Sequence, residues 1–313
     1  MIRIVFMGTP EFAVPSLEML IKEKYDVIAV VTQPDRPKGR KKILTPPPVK
    51  EVAQKYQIPV YQPERIRKPE EMQKILDLKP DLIVTAAFGQ ILPKEILETP
   101  RFGCINVHAS LLPKYRGGAP IHKAIMEGEK VTGVTIMYMV EKLDAGDMIA
   151  QREEPITPTD HTGTMYEKLS IVGAELLKEV LPPLIAGEIE AIPQDDKQAT
   201  FAYNIRREDE KIDWTRPAVE IANQVRGLHP WPVAFTMWQG KPFKVWWAEV
   251  SVEETDAMPG TILQLEETGI LVATGYGALI LKEVQPAGKR RMDVAEFVRG
   301  RQMQIGDQLG DNE

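Results

Sequence analysis

The sequence predicts an α/β protein: a mostly parallel sheet with helices on both faces, followed by a smaller strand-rich domain. Three observations carry this. Apolar runs of five to eight residues alternate with helix-like segments through the first part of the chain. Those runs are nearly continuous rather than alternating, which is how strands covered on both faces read. Past residue 206 the chain changes to short strands split by Gly and polar turns, the signature of a small β-barrel or sandwich of roughly 100 residues.

The elements follow in order. IRIVFM (2–7) is an unbroken apolar strand that ends in the turn Gly8-Thr9-Pro10. Residues 12–23 are helix-like, and YDVIAVVT (25–32) is the second strand. A basic, Pro-rich loop follows, QPDRPKGRKKILTPPPVK (33–50). Helices at 49–56, 69–78 and 92–98 then alternate with strands at 58–61, 81–87 and 104–108. After a helix at 119–128 come strands at 133–139 and 148–155, and a long helix at 163–187 with apolar residues at helical spacing. The pattern loosens into a linker, 189–206. A helix at 216–228 leads into five strand-like runs up to residue 288. The domains read as 1–188, a linker at 189–206, and 207–313.

The bulk numbers narrow the class. A chain of 313 residues, 43% hydrophobic and 27% charged, is ordinary for two globular domains. No apolar run reaches the length of a membrane span. The chain opens directly into a strand pattern, so no secretory or transit segment is expected. A single cysteine, Cys104, excludes an internal disulfide and any Cys-based zinc site. A cytoplasmic setting is expected. The net charge of −6 argues mildly against nucleic acid, although local patches decide.

The loop after the first strand, GTPEFAVP, is neither a GxGxxG fingerprint nor a P-loop. Nicotinamide and NTPase chemistry therefore lose their main support. No GxSxG elbow occurs either. The informative stretch is CINVHASLLPKYRGGAP (104–120). Asn106 and His108 are two apart in a strand and share a face at its end, where open α/β sheets hold ligands. Gly117 and Gly118 allow close backbone approach to a ligand, and Pro120 can open the next helix. The bland alternative is a satisfied strand-end histidine beside a turn asparagine.

EKLDAGDMI (141–149) lies between two strands and offers two carboxylates, Asp144 and Asp147. Either could hold His108, and either could be a turn residue bonding its own backbone. An Asn, a His and an Asp without a nucleophile suit attack of an amine on a carbonyl carbon. Hydrogen-bond donors stabilise the oxyanion, and a base takes the proton that the amine loses. His122, His161 and His229 show no ligand spacing, so no metal is expected.

CINVHASLLPKYRGGAPI followed by TGVTIMYMVEKLDAGDMI resembles the signature of the folate-dependent formyltransferases. VFMGTPEFAVPSL, TQPDRPKGR, AAFGQILP, LHPWP, KVWWA, PGTIL and QPAGK extend the resemblance over nearly the whole chain, toward members that act on tRNA. The resemblance implies a Rossmann-like catalytic domain and an OB-like β-barrel that binds tRNA. It implies Asn106, His108 and Asp144 as the catalytic set. It implies 10-formyltetrahydrofolate as co-substrate, held by Ser110, Leu111, Leu112 and Pro113, with walls from Phe88, Gly89, Ile91, Leu92 and Val140. The acceptor it implies is the α-amino group of methionine on initiator tRNA, for translation initiation.

For the basic loop, Arg36, Lys38, Arg40, Lys41 and Lys42 are the expected tRNA contacts, neutralising phosphates near the acceptor end. A solvated surface loop is the bland alternative. GKRR (288–291) is a second candidate for the tRNA backbone. No membrane partner is expected, and a monomer is. Three rivals share parts of this reading. One is a formyltransferase with a small amine acceptor, such as an amino-sugar nucleotide or glycinamide ribonucleotide. Another is a formyltetrahydrofolate hydrolase, with water in place of the amine. The third is a non-catalytic tRNA- or folate-binding protein.

Overall fold

The computed structural model describes residues 2–39, 41–300 and 302–310. The chain divides into two compact units. One contains the residues up to Gly117, Val131–Pro155 and Tyr166–Ala202; the other contains Gly118–Lys130, Ile156–Met165 and the chain from Tyr203 onward. The sequence boundary at 188 is therefore too simple. The expected linker is split, and its residues up to Ala202 belong to the first unit.

In chain order the first part comprises β1 (Arg3–Gly8), α1 (Val14–Lys22), β2 (Asp26–Val31), β3 (Arg36–Lys38), β4 (Ile43–Thr45), α2 (Pro48–Lys55), β5 (Val60–Tyr61), α3 (Pro69–Leu76), β6 (Leu82–Ala86), α4 (Lys94–Glu98) and β7 (Cys104–His108). Then come α5 (Pro120–Met126), β8 (Val131–Tyr138), β9 (Met148–Pro155) and α6 (Thr162–Ala186). Seven strands form one sheet in the order β5-β2-β1-β6-β7-β8-β9. The first five are mutually parallel; β8 runs antiparallel to both β7 and β9. This is the mostly parallel α/β sheet expected from the continuous apolar runs.

Both faces of β1 are buried, as its composition requires. On one face Val5 and Met7 pack with Val31, Ile83 and Cys104 of neighbouring strands and with Ile75 and Ile96 of α3 and α4. The alternate residues Ile4 and Phe6 point to the other face and are also fully buried. Strand order reverses direction between β1 and β6, the topological switch where such sheets open a crevice at the carboxyl ends of their strands. There Thr9, just past β1, donates its hydroxyl to the Phe88 carbonyl just past β6, at 3.0 Å.

The basic segment is not a plain loop. β3 and β4 pair antiparallel as a two-stranded hairpin outside the main sheet, with Arg36 opposite Thr45 and Lys38 opposite Ile43. Its residues are mostly exposed and include Pro37, so neither burial nor alternation marked it as strand.

The second unit contains α7 (Arg207–Glu210), α8 (Ala218–Gly227), β10 (Ala234–Trp238), β11 (Lys241–Val250), β12 (Ile262–Glu266), β13 (Gly269–Ala273), β14 (Ala278–Pro286), β15 (Met292–Asp293) and α9 (Val294–Arg299). The antiparallel path is β10-β11-β14-β13-β12, with β15 on β14. Its core joins Phe243 and Val245 of β11, Leu279 and Leu281 of β14, Ile221 and Val225 of α8, and Phe297 of α9. The gap between the ends of the path is spanned by the C-terminal segment. On the β12 side, Gly306 N–H reaches Ile262 O and Leu309 N–H reaches Gly260 O; Gly310 N–H reaches Met237 O of β10. The helix α9 and this closing segment were not visible in the sequence pattern. Among the described residues no helix is long and apolar enough to cross a membrane.

Candidate active site

β7 ends in the pair singled out by sequence. It enters as a central strand between β6 and β8, so its side chains are fixed on both sides. Asn106 Oδ1 lies 2.8 Å from the hydroxyl of Thr85 on β6, which donates to it. That leaves the amide N–H₂ of Asn106 as its donor group. His108 is buried. Its Nε2 lies 3.0 Å from the Tyr115 carbonyl, which can only accept, so Nε2 carries the proton. In the neutral ring the lone pair is then on Nδ1, and Nδ1 faces Asp144 Oδ2 at 3.8 Å.

The Asp144 carboxylate is held by the turn after β7: Gly117 N–H donates to Asp144 Oδ2 at 2.8 Å. Asp144 and Tyr115 both have positive φ, +44° and +60°, a conformation disfavoured for residues with a side chain. Such backbone clusters at functional sites. The competing carboxylate, Asp147, is exposed, and its backbone carbonyl bonds Tyr138 N–H at the end of β8. Geometry thus favours Asp144 over Asp147 as the partner of His108.

The residues expected to hold folate fall into two groups. Ser110 and Leu112 are buried and locally committed: Ser110 donates to the Lys114 carbonyl at 2.7 Å, and Leu112 N–H reaches Thr135 Oγ1 at 3.1 Å. Phe88 and Leu92 also put their side chains into the sheet core. Ile91 and Val140 are exposed apolar side chains, and Leu111 and Pro113 are half-buried. Gly89 has φ +85°. Among the described residues no group of three His, Cys, Asp or Glu side chains stands where it could hold a metal ion.

On the β3–β4 hairpin, Lys38, Lys41 and Lys42 are exposed, and Arg36 is paired with Glu64 at 2.7 Å. Arg40 lies outside the described residues. Beside these cations, Ile43 and Leu44 are 62% and 63% exposed. In GKRR the arginines are engaged: Arg290 bonds both carboxylate oxygens of Glu296, and Arg291 pairs with Glu283 and stacks over Trp246. Both arginines are nonetheless exposed, so these are surface pairs. His161 also has a structural task, since its Nδ1 accepts from the N–H groups of Gly163 and Thr164 at the start of α6.

Sequence reasoning missed Thr85, Tyr115, Arg116 and Gln194. Tyr115 acts through its carbonyl, which no residue type announces. Arg116 is 1% exposed despite its charge, and both its Nε and Nη2 donate to Gln194 Oε1. A charged residue between Tyr115 and the Gly117-Gly118 pair gave a weak signal at most.

A donor-bearing amide, an imidazole with a fixed tautomer and a facing carboxylate stand together at the carboxyl edge of a switched α/β sheet, a set that suits group transfer without a nucleophile from the protein. Residues 2–181 match the formyl transferase family and residues 204–302 match the formyl transferase C-terminal domain; the chain belongs to the formyltransferase family. More particularly, it is 61% identical over 312 residues to the methionyl-tRNA formyltransferase of Bacillus velezensis, covering 99% of this chain and 98% of that one. It is 60% identical over 313 residues to the methionyl-tRNA formyltransferase of Bacillus subtilis, covering 100% and 99%. Its fold resembles that of an N-formyltransferase from Helicobacter canadensis solved with folinic acid and dTDP-3-aminofucose. The TM-score is 0.69 at 21% identity, over 91% of this chain and 100% of that one.

Proposed function

We propose that this chain transfers the formyl group of 10-formyltetrahydrofolate to the α-amino group of methionine esterified to initiator tRNA. The observation that carries the reading is the orientation of His108, with Nε2 bound to a carbonyl and Nδ1 turned toward Asp144. High identity to methionyl-tRNA formyltransferases over the whole chain supports the choice of acceptor.

The chemistry follows from these atoms. A free α-amino group titrates at about 7.7–8.0, and the electron-withdrawing ester lowers that, so the neutral amine is accessible near neutral pH. As its nitrogen attacks the formyl carbon, negative charge grows on the formyl oxygen. The Asn106 amide N–H₂ is the donor that opposes it. The attacking nitrogen becomes cationic and passes its proton to His108 Nδ1. Asp144, facing that nitrogen, stabilises the imidazolium. Breaking the bond to N10 of the folate returns the proton to N10, so none is gained or lost overall.

Folate binding is assigned to the loops at 88–92, 110–113 and 140–143. Exposed Ile91 and Val140 supply apolar wall. The tRNA is assigned to residues 207–313 and to the hairpin, where Lys38, Lys41 and Lys42, with Arg36 and Arg40, neutralise phosphates. On this reading the first unit carries catalysis, and the enzyme works as a cytoplasmic monomer, where charged tRNA is made.

The test is formyl transfer from 10-formyltetrahydrofolate to methionine-charged initiator tRNA, beside elongator methionyl-tRNA and small amines. Rapid transfer to initiator alone is expected. Folate turnover without a tRNA product would overturn the reading and move the chain to the hydrolase or small-acceptor class.

A further inference from the structure

The segment expected to be a linker is tied to both halves of the catalytic site. Thr200 O accepts from Arg116 N–H at 2.9 Å, Thr200 Oγ1 accepts from Tyr115 N–H at 2.9 Å, and Ala202 N–H reaches Arg116 O at 2.7 Å. At its other end Ile192 exchanges both backbone bonds with Met148, directly after the Asp144 loop, at 2.8 Å. Between these anchors stands Gln194. Its Oε1 accepts from Arg116 Nε and Nη2 at 3.0 and 2.8 Å. Its Nε2 donates to the carbonyls of Asp144 and Gly146 at 2.9 and 2.7 Å. The amide is therefore fully used, and its orientation is unambiguous.

Arg116 sits between the residue whose carbonyl fixes His108 and the residue whose N–H holds Asp144. Asp196 pairs with Arg116 Nη2 at 2.8 Å and with Lys142 of the Asp144 loop. Gly146 completes the arrangement, because a Cβ there would stand 1.8 Å from the Tyr138 carbonyl.

We propose that Gln194 and Arg116 are positioning residues for the reaction: the Arg116 fork aims the Gln194 amide, and that amide fixes the backbone that carries Asp144 against His108. Neither side chain touches substrate on this account. The inference rests on the catalytic reading of Asp144. Its general ground is that a misplacement of about 1 Å in a catalytic group, caused from outside the chemistry, can cost on the order of 100-fold in rate.

Gln194 is only half-buried, so its variants are expected to fold. Full-length Gln194→Ala, Gln194→Glu and Asp144→Ala, and the Gln194→Ala/Asp144→Ala double variant, are compared in formyl transfer to charged initiator tRNA. Gln194→Ala is expected to lower kcat on the order of 100-fold, with KM for folate and tRNA little changed. Gln194→Glu keeps the pairing with Arg116 but loses both donors to the Asp144 loop, so it is expected to be as slow as the alanine variant. In the Asp144→Ala background, Gln194→Ala is expected to add no further loss. Wild-type kcat in Gln194→Ala, activity in Gln194→Glu, or a full additive loss in the double variant would each overturn the positioning role. If Asp144→Ala itself transfers at the wild-type rate, the catalytic reading fails and takes the positioning role with it. If Asp144→Ala is slow and Gln194→Ala is not, only the positioning role fails.

Discussion

Gly117 donates its backbone N–H to the Asp144 carboxylate at 2.8 Å, two residues after Tyr115 gives its carbonyl to His108 Nε2 at 3.0 Å. One short turn thus holds both His108 and Asp144. The turn is demanding. Gly117 has φ +121°, and a Cβ there would meet the Ala202 carbonyl at 2.7 Å. Gly117→Ala is expected to cost about 1–3 kcal/mol of stability from backbone strain. It should also lower kcat, because the carbonyl and N–H that serve the pair move together. Thermal melting beside transfer kinetics checks both.

Asn106 is the donor assigned to the formyl oxygen. Replacing such a donor typically costs about 10²–10³ in kcat. Asn106→Ala is expected to fall in that range with folate binding retained. Thr85→Val removes the hydroxyl that fixes the amide at 2.8 Å and should give a smaller loss, since the donor group remains but is free to turn. Steady-state kinetics of the two variants, side by side, would show the order.

The exposed hairpin cations make a prediction in salt. Each phosphate contact removed should reduce the slope of log affinity against log salt by about 1. Lys41→Ala and Lys42→Ala are therefore expected to weaken tRNA binding and flatten its salt dependence, while kcat at saturating tRNA stays near wild type. Filter binding at several salt concentrations measures this. An unchanged slope would return the hairpin to a solvated surface.

His122 and His229 in the second unit are both held below the ordinary imidazole value of 6.5, chiefly by burial. The nearby His161 pushes His229 down further. A histidine that takes up its proton less readily when folded lets the unfolded chain bind more protons below about pH 6.5. Stability should be fully present above that value and should fall as the pH drops below it. Denaturant titrations at neutral and mildly acidic pH test this, and His229→Gln should lessen the acid loss.

Burial drives the Cys104 thiol up to about 12. Since the thiolate is the reactive form, the native protein should resist thiol reagents at pH 8, and the unfolded chain should react at once. Rapid labelling of the native protein would contradict the buried placement of β7.

Much of this was legible in the sequence because it depends on local pattern. Continuous apolar runs gave the central strands, and the two-residue spacing of Asn106 and His108 gave their shared face. What stayed hidden depends on contacts between distant residues. Asp144 and Asp147 look alike in a turn; the difference is a Gly117 N–H that lies 27 residues earlier. Gln194 reaches Arg116 across 78 residues, and nothing in a polar, Pro-containing stretch marks it as a tie rather than a linker. The hairpin at 36–45 hid for another reason: strands that bury nothing leave no hydrophobic period to read.

The measurement that tests the central claim most directly is single-turnover formyl transfer to methionine-charged initiator tRNA by the wild-type enzyme and by His108→Ala. The account predicts efficient transfer by the wild type and a loss of about 10²–10⁴ in the variant, the usual worth of a positioned acid–base group, with folate still bound. Transfer by His108→Ala at the wild-type rate would contradict it.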